Sequence, residues 1–287
     1  RDLHSFPTRR SSDLFRYFFY ITLVISLSAQ TQVVVKEVMF IDAPYVGEVT
    51  TTTSKYAADG LFRQEASIEV DRFLIRLAMG GNKSLGSILN GKTESRIVYN
   101  AKDEEYAMET FDTIRVNDGI PTLKATTGRM NMGGGSGGGR GNDNSDEEEE
   151  KAEFDRTISK LLERMPGFDA RKVTTKIKGK NGIILVEEWF TTDTTLLQFV
   201  SEVEADLVAS YGGQKQNNPR SFSERMLKQA EQEFESVPGR MVKYTMEMTD
   251  DDNGFKMVWE LKSIREVPFN MADFKIPSDY EKVDELD

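Results

Sequence analysis

Residues 242–261 alternate apolar and polar side chains on both sides of a short polar turn, and few folds accommodate such a pattern. The first run has one apolar face, made by Val242, Tyr244, Met246 and Met248. The second run also has one apolar face, made by Phe255, Met257, Trp259 and Leu261. The turn between them contains Asn253-Gly254, and alternation around such a turn predicts an antiparallel β-hairpin. A hairpin with one apolar and one polar face belongs to a sheet that covers another layer.

Shorter runs of the same kind occur elsewhere in the chain. We predict a hairpin at three further places, where two alternating runs flank a turn of small or polar residues: 46–56 with 61–70, 96–99 with 105–111, and 173–178 with 183–190. Residues 71–91 are apolar but interrupted by glycines, which predicts either a short helix or a mobile flap.

Three segments after the middle of the chain have apolar residues at helical spacing. The third begins at Ser221 and Glu224, which form a capping box. The predicted helical faces are Phe154, Ile158, Leu161, Leu162 and Met165; Leu196, Phe199, Val200, Val203 and Leu207; and Phe222, Met226, Ala230 and Phe234. Together with the hairpins, these segments predict an α+β fold in which helices cover an antiparallel sheet.

The N-terminal 29 residues predict export. Residues 1–14 (RDLHSFPTRRSSDL) resemble a translated sequencing adapter and are set aside. Residues 15–29 then have the pattern of a secretory signal peptide, with an apolar run that ends at Leu27 and the small residues Ser28 and Ala29 at the cleavage site. The run is too short to cross a bilayer, which takes about 20 apolar residues. We therefore expect a periplasmic or secreted protein without an integral membrane segment in its mature chain.

Residues 128–152 are rich in glycine and then in glutamate, which predicts a disordered loop because such a stretch has little to bury. We interpret it as an insertion in one β-rich domain of residues 30–287. A linker between two domains is the alternative.

Charge and the scarcity of two residue types exclude several functions. The net charge of −11 argues against nucleic acid and anionic lipid as partners, since both attract clustered lysine and arginine. The chain has no cysteine, and its one histidine, His4, lies in residues 1–14. Catalytic triads, thiol chemistry and zinc sites built on these residues are therefore excluded. We predict a non-catalytic protein that uses no cofactor.

Several segments resemble a known family. They are residues 239–244, residues 259–261, the C-terminal stretch FNMADFKIPSDYEKV, and the internal stretches IVYNAKDEEYAM and LVEEWFTTD. These segments are similar to the DUF4412-type family of exported bacterial proteins, whose domains resemble the periplasmic lipoprotein carriers LolA and LolB. The resemblance implies an incomplete antiparallel β-barrel, a LolA-like half-barrel with covering helices. It also implies a lipid or lipoprotein acyl chain as partner, and it supplies no catalytic residues.

An aromatic and methionine-rich set is the candidate binding site. If the sheet leaves this set partly uncovered, it could hold an acyl chain, because methionine adapts to irregular apolar shapes. The set comprises Trp189, Tyr244, Met246, Met248, Met257 and Trp259. Ordinary core packing under the helices is the alternative and is what any half-buried sheet shows.

Two carboxylate patterns are weaker. Asp251, Asn253 and Glu260 match part of a calcium-loop spacing, but the Asn-Gly turn explains the same residues, so we predict no metal site. Glu187 and Glu188 are adjacent on a predicted strand and must point to opposite faces, so they cannot flank one glycosidic bond.

Two hypotheses follow for the function. The first is a binding module that holds a lipid or another apolar ligand in a half-barrel. The second is an envelope structural or protein-interaction module whose sheet is filled by its own helices. An enzyme ranks third, because the usual catalytic side chains are missing.

Overall fold

The computed structural model describes residues 30–78, 81–117, 120–122, 152–179, 182–213, 221–249 and 254–286. Twelve of its strands form one sheet: β1 (Thr31–Ala43), β2 (Gly47–Ala58), β3 (Leu61–Val70), β4 (Lys83–Asn90), β5 (Ser95–Asn100), β6 (Glu105–Thr110), β9 (Glu153–Met165), β10 (Phe168–Gly179), β11 (Gly182–Thr191), β12 (Arg240–Thr249), β13 (Phe255–Pro268) and β14 (Glu281–Lys282). A separate small hairpin contains β7 (Arg115–Asn117) and β8 (Ile120–Thr122). The helices are α1 (Phe73–Ala78), α2 (Thr195–Ser210) and α3 (Phe222–Gln229), with short 3-10 turns at Phe111–Thr113 and Met271–Phe274.

The strands follow one another as two meanders that meet at β1. The order across the sheet is β14-β6-β5-β4-β3-β2-β1-β13-β12-β11-β10-β9. All neighbours run antiparallel except β14 and β6, which are parallel. Within the described residues β14 and β9 are free edges, so the sheet is open rather than closed into a barrel. The predicted open antiparallel sheet with covering helices is thus confirmed, and its likeness to LolA stays a prediction.

The four predicted hairpins are all present. In the β2–β3 hairpin, Ala58 pairs with Leu61 around the Asp59-Gly60 turn. In the β5–β6 hairpin, Asn100 pairs with Glu105. In the last hairpin, Tyr244 pairs with Trp259, so the two predicted apolar faces lie on the same side of the sheet. Alternation and turn chemistry are local properties, and here they determined the pairing.

The predicted helix at residues 154–165 is wrong, because this segment is strand β9. Phe154 pairs with Ile177 and Ile158 pairs with Val173 of β10. The register then shifts, and Leu161 and Leu162 remain 77% and 59% exposed. The apolar residues satisfy helical spacing only by coincidence. Pairing with the edge of a growing sheet overrides that local preference.

Two of the longer strands, β1 and β4, lacked a sequence prediction of their own. β1 joins the halves of the sheet, since Val35 pairs with Lys55 of β2 on one side and with Ile264 of β13 on the other. β4 occupies part of the segment predicted as helix or flap, and α1 occupies another part. Gly86 in β4 faces Tyr99 of β5, and a Cβ at Gly86 would overlap the tyrosine ring.

Helix α2 lies across the strands and fills one side of the core. Near its start, Arg240 of β12 donates to the carbonyl oxygen of Leu197 at 2.8 Å. Just after its end, the Tyr211 ring meets the Phe111 ring, with 5.3 Å between centroids. The main core cluster gathers strand residues under this helix, including Val33, Val35, Ala57, Phe62, Leu89, Val242 and Leu261. The predicted helix here is confirmed.

Helix α3 is shorter than predicted and buries a different face. The Ser221 hydroxyl accepts from the Glu224 backbone N–H at 3.0 Å, which confirms the capping box. The helix ends at Gln229, and its buried residues are Ser223 and Leu227 rather than Phe222 and Met226. The predicted apolar face of this helix is wrong, because its most buried side chain is the polar Ser223.

The C-terminal segment 269–286 covers the opposite side of β2–β6 from α2. It brings Phe269, Phe274, Ile276 and Tyr280 onto a cluster that contains Leu61, Ile88 and Tyr99. Other predictions lie outside the described residues: the adapter and signal peptide at residues 1–29, and residues 128–151 of the predicted insertion. In the described part of the chain, every helix is too short or too polar to cross a bilayer.

Candidate functional site

The hairpin β12–β13 brings five of the six predicted ligand-binding residues together on one apolar face, which we call the β12–β13 face. Tyr244 pairs with Trp259 and Met246 pairs with Met257, while Met248 lies next along β12. The rings of Tyr244 and Trp259 stack with 6.2 Å between centroids and 20° between planes. The Tyr244 hydroxyl also donates to the sulfur of Met257 at 2.6 Å.

Exposure rises steadily along this face. On β12, Val242 is 1% exposed, Tyr244 and Met246 are half-buried, and Met248 is 38% exposed. On β13, Leu261 is 2% exposed, and Met257 and Trp259 are half-buried. One end of the face is therefore sealed into the core, and the other end meets water.

A separate apolar cluster extends the face towards β1–β3. Met257 and Phe255 pack against buried Ile41, Val49, Ile68 and Val70. Apolar packing thus continues across five neighbouring strands, from β12 through β13, β1 and β2 to β3, and the β1–β3 part of it is buried.

Trp189 does not belong to this face. Its neighbour Glu188, rather than Trp189, pairs with Tyr244, and Trp189 is sealed in the main core cluster with Val242 and Leu261. Trp189 is 5% exposed, and its indole N–H donates to Glu163 at 2.7 Å. The ammonium groups of Lys172 and Lys243 lie 5.1 and 4.7 Å from its ring centroid. Trp189 therefore has a packing role in this structure.

Glu188 is the important residue that sequence reasoning did not single out as a contact. It is fully buried, and its carboxylate accepts from the backbone N–H of Phe222 at 2.7 Å and from the Ser221 hydroxyl at 2.8 Å. The Ser223 hydroxyl donates to it as well. Glu188 thus fixes the N-terminus of α3 to β11, where the helix favours a negative charge. An acidic residue inside the apolar run LVEEWF was the available signal.

Helix α3 borders the β12–β13 face. Burial raises the pKa of Tyr244, and the positive charge of Arg225 in α3 opposes that shift, which places this guanidinium in the electrostatic range of the tyrosine. Since Glu188 pairs with Tyr244, the anchor of α3 and the face are immediate neighbours.

The carboxylate patterns acquire ordinary partners. Glu187 forms an ion pair with Lys172 at 2.7 Å, whereas Glu188 caps α3, so the two carboxylates serve different sides of the strand. Glu260 pairs with Lys262 at 2.7 Å. Asp251 and Asn253 lie outside the described residues. Across the part of the chain that is described, His, Cys, Asp and Glu form no group of three that could hold a metal ion.

A cleft of about 530 Å³ lies away from the β12–β13 face, beside the β9–β10 turn. Its apolar lining includes Leu162, Phe168, Phe190 and Val237, and its charged lining includes Arg164 and Asp169. These two charges pair with each other at 3.3 Å. The five residues of the β12–β13 face do not line this cleft.

Comparison with known proteins yields no family model and no curated protein that matches the sequence. Three solved structures are similar to the chain at low level. A DUF1329 family protein from Desulfovibrio piger is 13% identical, with 90% of this chain and 95% of that chain covered and a TM-score of 0.25. A putative outer membrane lipoprotein-sorting protein domain from Vibrio parahaemolyticus is 11% identical, with coverage of 90% and 94% and a TM-score of 0.24. A LolA superfamily protein from Nitrosomonas europaea is 9% identical, with coverage of 86% and 90% and a TM-score of 0.24. Similarity this low determines neither the fold nor the function of this chain.

Proposed function

We propose that this chain is an exported, non-catalytic binding protein that holds an apolar ligand, such as the acyl chain of a lipid or lipoprotein, along the β12–β13 face. The observation that carries the proposal is the gradient of exposure from buried Val242 to Met248. A face that served only as core would be sealed along its whole length.

The side chains of the face suit such a ligand. Tyr244 and Trp259 stack into a flat, rigid floor, while Met246, Met248 and Met257 are flexible thioethers that adapt to an acyl chain. Covering apolar surface contributes about 25 cal/mol per Å² removed from water. A ligand that extends along this floor towards Met248, which is 38% exposed, would gain the most from this term.

The location and the detailed fold type are part of the same proposal. Export follows from the signal-peptide pattern of residues 15–29, and a periplasmic or secreted location follows from export. A LolA-like half-barrel follows from the resemblance of segments such as residues 239–244 and 259–261. A chain that lacks cysteine throughout and histidine after His4 is in keeping with binding rather than catalysis.

Native mass spectrometry of the protein purified from a bacterial periplasm, followed by solvent extraction, tests this function. We expect a co-purifying lipid of defined mass. Met248→Glu should reduce its occupancy because it places a charge at the open end of the face. Met108→Glu is a matched control, since Met108 is 42% exposed against 38% for Met248 and lies on β6. Protein that stays ligand-free after incubation with lipids, or equal loss in both variants, would contradict the proposal.

A structural or protein-interaction module is the second candidate function. The observation in its favour is that α2 already fills the main core, where Val33, Val35, Ala57 and Leu261 are each less than 5% exposed. A protein free of ligand in the experiment above, together with a defined protein partner in a cross-linking experiment, would favour it.

A further inference from the structure

A second cleft, of about 430 Å³, lies where β3, β4, α1 and the turn after β5 meet. Three cationic side chains line it, Arg76, Lys83 and Lys102, with one acid, Glu69. Hydroxyl and amide groups complete the wall: Ser67, Ser84 and Asn82. We call this the cationic cleft.

The residues that β3 contributes to the cleft lie on the opposite side of the sheet from the β12–β13 face. Ser67 and Glu69 alternate on β3 with Ile68 and Val70, and the latter two pack in the cluster that contains Met257. Successive residues of a strand point to opposite sides. An occupant of the cationic cleft therefore does not compete with a ligand on the β12–β13 face, and this inference does not depend on the proposed function.

Backbone geometry maintains the cleft. Gly81 has a φ of +96°, which side-chain-bearing residues rarely adopt, and its N–H donates to the Arg76 carbonyl oxygen at 2.7 Å. A Cβ at Gly81 would lie 3.0 Å from the Lys102 ammonium nitrogen. The glycine thus leaves room for this ammonium group. On the strands, Ser67 and Ser84 pair directly across β3 and β4.

The local charge differs in sign from that of the whole chain. Three cations and one carboxylate surround the cleft, while the chain carries a net charge of −11. Net charge alone predicted no attraction to anionic groups, but charges more than about 10 Å apart are largely screened at moderate salt. The local cluster therefore decides what binds here. Ammonium, guanidinium and hydroxyl donors together are suited to a polyvalent oxyanion.

Apolar side chains stand beside these cations. On α1, Phe73, Leu74 and Leu77 are 63%, 75% and 66% exposed, whereas Ile75 packs against the cluster of β1–β3. The Arg76 guanidinium lies 5.8 Å from the Phe73 ring centroid, so the charged and apolar parts adjoin. An anionic group attached to an apolar body would contact both parts.

We propose that Arg76, Lys83 and Lys102 bind a phosphate-type anion in the cationic cleft, with the hydroxyls of Ser67 and Ser84 as further donors. The anion is either the headgroup of a phospholipid or a soluble phosphate ester. Both present the same tetrahedral, multiply charged group, and α1 distinguishes them because only the lipid presents apolar surface to Leu74 and Leu77.

The test uses the purified protein and two probes, pyrophosphate in calorimetry and vesicles of phosphatidylcholine with an equal part of phosphatidylglycerol in co-sedimentation. The double variant Lys83→Gln with Lys102→Gln removes two cations at exposed positions. Each cation near an anionic surface contributes about 1 kcal/mol, so we expect the loss of two cations to weaken binding about 30-fold. Lys160→Gln, on edge strand β9, is the matched control and should bind as the wild type does.

A second variant, Leu74→Ser with Leu77→Ser, separates the two sources of the anion. Loss of vesicle binding with pyrophosphate binding intact identifies a lipid headgroup. Pyrophosphate binding without vesicle binding identifies a soluble phosphate ester. The proposal is overturned if neither probe binds the wild type, or if the double lysine variant binds both as Lys160→Gln does. Circular dichroism confirms that each variant is folded.

Discussion

Replacement of Glu188 by alanine should destabilise the protein strongly and release α3 from the sheet. The carboxylate is fully buried and accepts from two backbone N–H groups, those of Phe222 and Ser223, and from the hydroxyls of Ser221 and Ser223. Alanine removes all of these acceptors at once. Water cannot replace them without a new cavity that is open to solvent.

The magnitude follows from counting the donors that lose a partner. The two hydroxyls lie 3.0 Å apart and can bond to each other, and the Ser223 hydroxyl also accepts from Arg156 at 2.8 Å. The two backbone N–H groups have no such substitute. A buried donor without a partner costs about 1–3 kcal/mol, so the loss of partners for two donors should lower the free energy of unfolding by about 2–6 kcal/mol. Glu188→Gln keeps one acceptor oxygen and should cost about half as much.

Urea unfolding of the alanine variant measures this loss, with Glu187→Ala as the matched control. Glu187 is the next residue on β11, and its carboxylate is half-exposed in an ion pair with Lys172. Partly exposed pairs contribute at most about 1 kcal/mol. Hydrogen exchange at residues 221–229 reports release of α3 even where the sheet stays folded. Equal unfolding midpoints for the two alanine variants, with unchanged exchange in α3, would refute the reasoning.

Three further predictions concern packing and titration. Gly86→Ala should lower the free energy of unfolding by about 1–3 kcal/mol because the added methyl group overlaps the Tyr99 ring. In a double-mutant cycle, the variant that combines it with Tyr99→Leu should lose less stability than the two single variants together, and strictly additive losses would disprove the overlap. Burial raises the pKa of Tyr99, so on raising the pH this tyrosine loses its proton in the unfolded chain before it does so in the folded protein. The contribution of Tyr99 to the free energy of unfolding should be constant up to about pH 10 and then fall by up to about 1.4 kcal/mol per pH unit. Urea unfolding at alkaline pH should show a smaller fall for Tyr99→Phe. Trp189→Phe should lower stability by about 1–2 kcal/mol through loss of the bond to Glu163, and unchanged lipid occupancy in mass spectrometry would support its absence from the β12–β13 face.

Local patterns were sufficient for the hairpins and insufficient for the order of the sheet. Alternation on both sides of a polar turn predicts that residues 242–248 pair with residues 255–261, because both runs lie within twenty residues, and Tyr244 does pair with Trp259. Helical spacing in residues 154–165 was misleading, since Ile158 becomes a strand residue only when β10 offers it a partner. Gly86 looked like an interruption of an apolar segment. A glycine is needed there because the ring of Tyr99 on the next strand occupies the space of a side chain, and sequence spacing does not reveal this contact.

The proposed binding site was predictable where it depends on one hairpin. Five residues of the β12–β13 face follow from the period of two along β12 and β13. Trp189 required the register between β11 and β12, in which Glu188 rather than Trp189 pairs with Tyr244. The cationic cleft combines α1, two strands and a turn, so the charges of Arg76, Lys83 and Lys102 are adjacent only after folding.

The position of β1 between β2 and β13 has a consequence for the order in which the chain can fold. Thr31 pairs with Pro268, so the first and last long strands of the sheet depend on each other. A chain that is synthesised or threaded from its N-terminus presents β1 long before β13 exists. The meander β1–β6 must then wait with one side of β1 unpaired, and contacts so distant in sequence make folding slow. The sheet is completed only when the final hairpin arrives, and such a delay suits the export proposed above, because a chain that crosses a membrane unfolded must not fold early.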